Sequence, residues 1–280
     1  MTNTPHPLDH LVLPVPSLDL ARERLSALGF TCAPDGIHPF GTVNACIYFA
    51  DGTFLEPLAV GDAALAARTA RDGNSFTAGD ARFRAEAGEN GFSAVVLGSD
   101  DADDDDTAFQ AAGYGGGARL DFSRGFRTPE GDEGEASFRL AFAAPQPANA
   151  AFFFTCQRVN VPAVDRTSLE NHVNGVSGLR GVVLRAQEPA RHRGFIEAFT
   201  GVPATGNAER IRVVLPNADL VVERDAGSTG LACHAVRFAC RDMDLLRTRL
   251  EAASIVFKAA DGAISVPPAP GQGATFIFEE

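Results

Sequence analysis

Apolar and polar residues recur along the chain in a frame that combines a strand with a helix. The first run, residues 8–15, is mainly apolar and has the length of a buried strand. Apolar residues then follow at offsets 0, 3, 7 and 10 from Leu18, which is the spacing of one helix face. Ser17 stands where a helix N-cap is expected, and Gly29 stands where the helix would end. The pattern predicts a strand, a helix and a return to extended structure.

The same frame occurs four times, beginning near Leu8, Phe92, Leu179 and Ala232. In each case 19 or 20 residues separate a fixed strand position from the residue that ends the helix. About three further strand candidates follow each helix, an order that is typical of α+β proteins rather than of alternating β/α proteins. The sequence therefore predicts an α+β fold made of four βαβββ units.

The stretches between the units set the expected domain boundaries. Residues 61–90 have a partly helical pattern, and the Gly-rich residues 113–135 have the composition of a loop. The polar residues 160–174 have the composition of an interdomain linker. We expect a first domain of residues 6–159 and a second domain of residues 175–280, each containing two units.

Composition and charge restrict the class of protein. The chain has 280 residues, 45% of them hydrophobic, and a formal net charge of −12, which argues against nucleic acid and anionic membrane surfaces as partners. No apolar run approaches the roughly 20 residues of a spanning helix, and no signal peptide is visible. Five scattered cysteines without a CxxC motif favour free thiols in a reducing compartment. We therefore expect a soluble, cytoplasmic protein.

Six short stretches carry a resemblance to a known family. They are LDHLV at 8–12, IHPFGTVN at 37–44, DGTFLE at 51–56, FSR at 122–124, FRLAF at 138–142 and HVNG at 172–175. With these stretches and its four units, the chain resembles the vicinal oxygen chelate superfamily and, within it, the glyoxalase-like proteins. The resemblance implies two half-barrel domains, each built from a pair of units. It also implies a small-molecule partner and a divalent metal, and it is compatible with a homodimer.

The resemblance implies metal ligands on the first and last strands of a unit. In the first unit these positions hold His10 and Glu56, and imidazole with carboxylate suits zinc, iron, manganese, nickel or cobalt. Two ligands alone make a weak site. In the second unit the corresponding residues are Ser93 and Thr155, which are not usual ligands of a transition metal.

The fourth unit offers a second pair, because His234 matches His10 and the terminal Glu280 is the carboxylate expected on the matching face. If units 1 and 4 pair, these residues converge with the first pair into a set of two histidines and two carboxylates. If units 1 and 2 pair, each half has at most one histidine and one carboxylate. Consecutive units are usually neighbours, which favours the second arrangement.

Further polar residues complete the predicted site. His38 stands in a turn rich in proline and glycine, and it is expected to serve as a base or as a third metal ligand. Arg124 has the side chain for bidentate binding of a carboxylate. The residues expected to contact a substrate are Asn44, Arg124, Arg139, His172 and Asn174.

Two functions from different classes remain open. In the first, a divalent ion on His10 and Glu56 assists isomerase- or lyase-type chemistry on a small carbonyl or oxygen-rich compound, with His38 as the base. In the second, the half-barrel binds or sequesters a small molecule without a metal, as a bleomycin-resistance-like protein would. In both cases we expect the working cleft in the first half, where polar groups able to converge are denser.

Overall fold

The computed structural model describes residues 4–89, 91–127, 133–147, 149–161, 165–228 and 230–280. Within these ranges the chain forms two mixed β-sheets with helices packed against them, which confirms the predicted α+β class. No helix in the described ranges is both long and apolar enough to cross a membrane. Residues 162–164 of the expected linker lie outside the described residues.

The first sheet contains the strands of the first two units. Their bounds are β1 Leu8–Pro14, β2 Gly36–Ile37, β3 Thr42–Asn44, β4 Ile47–Tyr48, β5 Phe54–Val60, β6 Ala94–Ser99, β7 Leu120–Arg127, β8 Glu133–Ala143 and β9 Phe152–Asn160. In space the order is β2-β3-β5-β1-β6-β9-β8-β7, and β4 pairs with β5. The helices of this half are α1 Leu18–Ala27, α2 Ala63–Arg71, α3 Ser75–Ala87 and α4 Ala102–Ala111. Strand β7 lies within the stretch expected to be loop, because a Gly-rich start conceals the alternation that follows it.

The second sheet repeats this arrangement. Its strands are β10 Val176–Ala186, β11 Thr205–Gly206, β12 Arg210–Val214, β13 Asp219–Arg224, β14 Ala232–Cys240, β15 Lys258–Ala260, β16 Ala263–Val266 and β17 Thr275–Glu279. In space the order is β11-β12-β13-β10-β14-β17-β16-β15. The short helix α5, Thr167–Glu170, precedes this sheet, and α6, Arg193–Thr200, and α7, Met243–Ala252, pack against it.

Strand pairing shows which units are partners. Strand β1 pairs with β6 in antiparallel fashion, so that units 1 and 2 share the first sheet. Strand β10 pairs with β14 in the same way, so that units 3 and 4 share the second. The pairing of units 1 and 4, which would have joined four metal ligands, does not occur. His234 therefore lies in a different sheet from His10 and Glu56, and Glu280 follows the last strand of that second sheet.

The first sheet curls until its two edge strands meet. Gly36 of β2 lies so close to the guanidinium of Arg124 on β7 that no room remains for a Cβ atom. Helix α3 covers the interior, with the ring of Phe76 5.9 Å from the ring of Phe154 and Gly79 pressed against Phe152. The first half is thus a nearly closed barrel with a helical cover on part of its interior.

Aromatic side chains join the two halves. Phe30, which follows α1, has its ring centre 5.4 Å from Phe238 and 6.2 Å from Phe276, both in the second sheet. These rings belong to one apolar cluster that contains buried residues of both halves. Asn174 adds a polar connection, because its amide donates to the Leu28 carbonyl at 3.0 Å and its side-chain oxygen accepts from the Val176 amide at 3.1 Å.

Replacing Asn174 tests this connection. Because Asn174 is fully buried, Asn174→Ala leaves a buried carbonyl and a buried amide without partners, and we expect a loss of about 2–4 kcal/mol in the free energy of unfolding. The neighbouring exposed Asn171→Ala is the control, with an expected change within about 0.5 kcal/mol. Denaturant unfolding measures both, and equal effects would contradict a connecting role for Asn174.

Candidate functional site

Five of the sequence-predicted site residues line one cleft inside the first half. The cleft has a volume of about 50 Å³. Its polar lining includes His10, His38, Asn44, Glu56 and Arg124. Its apolar lining includes Phe54, Phe76, Phe122, Phe138, Leu140 and Phe154. The arrangement is a small group of convergent polar side chains with aromatic walls, which is the usual composition of a ligand site.

Glu56 lies at the centre of the polar group and is only 4% exposed. Strands β1 and β5 run parallel with Val12 beside Glu56, so that alternation along the strands turns His10 and Glu56 to the same face. Asn44 donates to Glu56 Oε1 at 2.5 Å. The Nε2 atom of His10 lies 3.4 Å from Oε2, and the Nε2 atom of His38 lies 3.6 Å from Oε1.

A β-bulge brings a second carboxylate to His10. Asp9 and His10 are consecutive, and on a regular strand they would point to opposite faces. The register between β1 and β6 shifts between Leu8 and His10, and the Asp9 carboxylate reaches Nδ1 of His10 at 2.6 Å. Arg158 on β9 in turn lies 2.7 Å from Asp9 Oδ2. The ring of His10 is therefore held between Asp9 and Glu56.

These contacts set the charges of the buried pair. Burial lowers the pKa of His10, but the hydrogen bond to Asp9 and the nearby Glu56 carboxylate outweigh it, and the net pKa is raised above the ordinary 6.5. Burial raises the pKa of Glu56, but the contacts with His10, His38 and Asn44 outweigh it and lower the pKa to about 2. The contacts thus favour the protonated form of His10 and the ionised form of Glu56.

His38 has a different charge state from His10. Its Nδ1 atom lies 2.8 Å from the Thr42 hydroxyl, and its ring stacks on Phe40 with centres 4.9 Å apart. Burial lowers the pKa of His38 to about 4, with Glu56 opposing the shift and Arg124 adding to it. His38 is thus a neutral imidazole at neutral pH, available as a base or as a ligand.

Three predicted substrate residues do not reach the cleft. Arg139 follows Phe138 on β8 and points to the opposite face, where it lies 3.5 Å from Asp103. His172 connects segments, because its Nδ1 accepts from the Thr31 amide and its Nε2 lies 3.0 Å from the Tyr48 carbonyl. Asn174, described above, also serves the junction between the halves. In the sequence, the glycine that follows His172 and Asn174 is compatible with a turn in the linker and with residues that contact a substrate. Only the structure distinguishes the two.

The described residues of the second half do not form an equivalent site. His234 is the extra residue of a β-bulge, because Ala235 and Cys233 pair with the consecutive residues Val183 and Leu184. The carboxylate on the interior face of β17 is Glu279 rather than Glu280, and Arg237 binds it at 2.6 and 2.7 Å. Phe278 points into the apolar cluster between the halves, so that the next residue, Glu279, points to the interior face instead of Glu280.

The second unit contributes apolar side chains at the interior positions. Val96 on β6 is paired with His10, and Phe154 on β9 is paired with Val96. Both side chains belong to the interior apolar cluster. Two residues that sequence reasoning missed, Asp9 and Arg158, complete the site instead. The sequence signal for Asp9 is its position next to His10. Only the β-bulge lets the two side chains meet, because neighbouring residues on a regular strand point to opposite faces.

The fit of a metal ion depends on donor types and spacing. Among the described residues, no group of three or more His, Cys, Asp or Glu side chains is already arranged to hold an ion. The separations of 3.4 and 3.6 Å from Glu56 to the two imidazoles exceed an ordinary hydrogen bond of about 2.7–3.2 Å. The His10 distance matches the roughly 3.4 Å between two ligand atoms bound at about 2.1 Å to one tetrahedral metal, whereas His38 lies beside the other carboxylate oxygen. The donors fit a divalent ion, although the three side chains would still have to close on it.

A larger crevice of about 670 Å³ adjoins the cleft and shares Asp9, Cys156 and Arg158 with it. It runs along the ends of β1, β6 and β9, and Asn217 of the second half also lines it. The other acidic side chains in its lining are Asp51, Asp100, Asp101, Asp104 and Asp105. The Asp9–Arg158 ion pair thus stands between an acidic crevice and the cleft.

The sequence model of a glyoxalase-like domain matches residues 8–200, which is more than half of the chain. The chain therefore belongs to the glyoxalase-like proteins of the vicinal oxygen chelate superfamily. The predicted family is confirmed. A search of curated protein sequences found no match.

Solved structures share the fold at low sequence identity. A hypothetical protein from Staphylococcus aureus is 15% identical with a TM-score of 0.70, and the match covers 97% of this chain and 98% of that one. A variant of 4-hydroxymandelate synthase from Streptomyces coelicolor is 13% identical, with a TM-score of 0.62 and coverage of 98% and 92%. A 2,3-dioxygenase from Pseudomonas sp. KL28 is 11% identical, with a TM-score of 0.59 and coverage of 99% and 92%. At such identities the likeness shows the fold alone.

The charge of His10 is open to direct measurement. Because its folded-state pKa is raised, the contact with Asp9 stabilises the fold fully below pH 6.5 and is lost as the pH rises through the folded value. Asp9→Asn removes the closer carboxylate and should lower the pKa of His10. NMR titration of the imidazole with a chelator present measures this shift. Asp103→Asn, at an exposed carboxylate on α4, is the control, and an unchanged His10 titration in Asp9→Asn would refute the assignment.

Proposed function

We propose that the protein is a small-molecule enzyme whose first-half cleft binds an oxygen-rich or carbonyl compound for isomerase- or lyase-type chemistry. A divalent ion held by Glu56 and His10, with His38 as third ligand or as base, would supply Lewis-acid stabilisation of an oxyanion. The observation that carries the proposal is the meeting of two imidazoles on one buried carboxylate. Two structural relatives bear the names of enzymes, a synthase and a dioxygenase, which supports an enzymatic role.

Each residue of the centre has its own task in this proposal. Asp9 holds the His10 ring through Nδ1, so that Nε2 faces the interior. Asn44 donates to Glu56 and fixes the orientation of the carboxylate. His38 is unprotonated at neutral pH because burial lowers its pKa to about 4, and its Nε2 faces the cleft, where it would take a proton from a bound compound. The aromatic walls exclude water from these groups.

A metal-free binding protein is the second candidate function. It is favoured by Val96 and Phe154, which place apolar side chains where a second pair of ligands would stand in a four-ligand site. In that case the cleft holds a small molecule by shape and hydrogen bonding alone. The imidazole of His10 and the carboxylate of Glu56 then serve as hydrogen-bonding groups.

Metal titration separates the two functions. We expect the wild-type protein to bind about one Mn²⁺, Ni²⁺ or Zn²⁺ per chain in the cleft, and His10→Ala or Glu56→Gln to weaken binding at least about tenfold. Isothermal titration calorimetry and elemental analysis of the purified protein measure these quantities. His234→Ala is the matched control, because it removes the histidine at the corresponding position in the second half and should leave binding unchanged.

The outcomes point to different conclusions. Absence of metal binding by the wild-type protein would leave the metal-free candidate. Loss of binding in His234→Ala with retention in His10→Ala would place the metal in the second half and contradict the proposed centre.

A further inference from the structure

We propose that the ligand of the first-half cleft is a small organic anion whose carboxylate is bound by Arg124. The inference rests on the proposed function only in assigning the ligand to the same cleft. It follows from the partners of Arg124, from the charges of the cleft, from the position of the acidic crevice and from the walls.

Arg124 lines the cleft without a carboxylate partner in the described part of the chain. Its Nη1 atom donates to the neutral Oδ1 of Asn44 at a long 3.4 Å. Its guanidinium lies 5.8 Å from the centre of the Phe138 ring. A guanidinium has five N–H donors in a planar fork that matches a carboxylate in two parallel hydrogen bonds. Most of this donor capacity is unused by the contacts present.

Contact distances assign partners to the carboxylates of the cleft. The Asp9 carboxylate lies 2.7 Å from Arg158. The Glu56 carboxylate accepts from Asn44 and lies 3.4 Å from the imidazole of His10. Among the described residues, no carboxylate lies within ion-pair distance of Arg124. A ligand carboxylate would supply that partner.

The acidic crevice does not stand on the side of Arg124. The crevice follows the ends of β1, β6 and β9. Arg124 lies on β7, which meets β2 where the barrel closes, on the side opposite β1 and β6. A second arginine lies beside β4. The guanidinium of Arg166 is 4.5 Å from the ring centre of Tyr48 on this strand. Tyr48 in turn contacts Phe54 of the cleft wall. An anion is thus attracted locally in a protein whose net charge is negative.

The walls of the cleft indicate the polarity and the size of the rest of the ligand. Beyond Arg124 and the central polar group, the lining is mostly aromatic, which favours an apolar body on the anion. A volume of about 50 Å³ holds about three to five water-sized groups, which selects a short compound. A short carboxylic acid with a flat or apolar substituent satisfies both conditions.

The test compares carboxylates with their neutral amides. The probes are acetate with acetamide, pyruvate with pyruvamide, and propionate with propionamide, titrated into the isotopically labelled full chain and followed by NMR. We expect carboxylate binding that shifts the signals of cleft residues, with the matching amide about 10- to 100-fold weaker. Arg124→Met should weaken the carboxylate by a similar factor and leave the amide unchanged. Arg124→Gln is the second variant should Arg124→Met fail to fold.

Arg139→Met is the matched control, because Arg139 lies on the neighbouring strand but points to the opposite face. It should bind the carboxylates as the wild-type protein does. Equal binding of acids and amides, unchanged binding in Arg124→Met, or no binding of any of the three acids up to their solubility would overturn the inference. A metal titration on the same samples keeps the two proposals apart. Carboxylate binding without metal binding rejects only the metal, and metal binding without carboxylate binding rejects only the anion.

Discussion

A carboxylate buried inside a barrel is the constraint on which the site depends. An unpaired charge at the position of Glu56 would be costly, and the neighbouring side chains are arranged to satisfy it. Asn44 donates from β3, and His10 reaches the carboxylate from β1. The bulge directs Asp9 to the far side of His10, where it favours the protonated form of that ring and fixes its orientation. The geometry of the cleft is thus a consequence of neutralising one group.

The two halves use the same fold for different purposes. In the second half the interior face satisfies its charges internally, with Arg237 bound to Glu279 and Arg212 bound to Asp219 at 2.8 and 3.0 Å. In the first half the interior combines buried charges with aromatic walls, and helix α3 covers part of it. The first half therefore has the properties of a ligand site. The second half packs against it through the aromatic contacts around Phe30.

Hydrophobic periodicity predicted the architecture, because each unit repeats the same burial pattern in α1 and its counterparts. The resemblance to the family, rather than the periodicity, indicated the pair His10 and Glu56. Periodicity did not predict residues whose direction depends on a bulge or on an exact register. Asp9 turns toward His10 only because of the bulge, and Glu279 replaces Glu280 because of a one-residue offset. Arg139 and Arg124 looked equivalent in sequence, and only the pairing of β7 with β8 places them on opposite faces.

The central claim is that a ligand or ion of this protein occupies the interior of the first half, around Glu56. Anomalous diffraction from crystals of the wild-type protein soaked with Mn²⁺ tests it most directly, because the method locates the ion without assuming a reaction. The account predicts one strong peak beside the Glu56 carboxylate, between the imidazoles of His10 and His38. Peaks confined to the acidic crevice or to the ion pairs of the second half would contradict it.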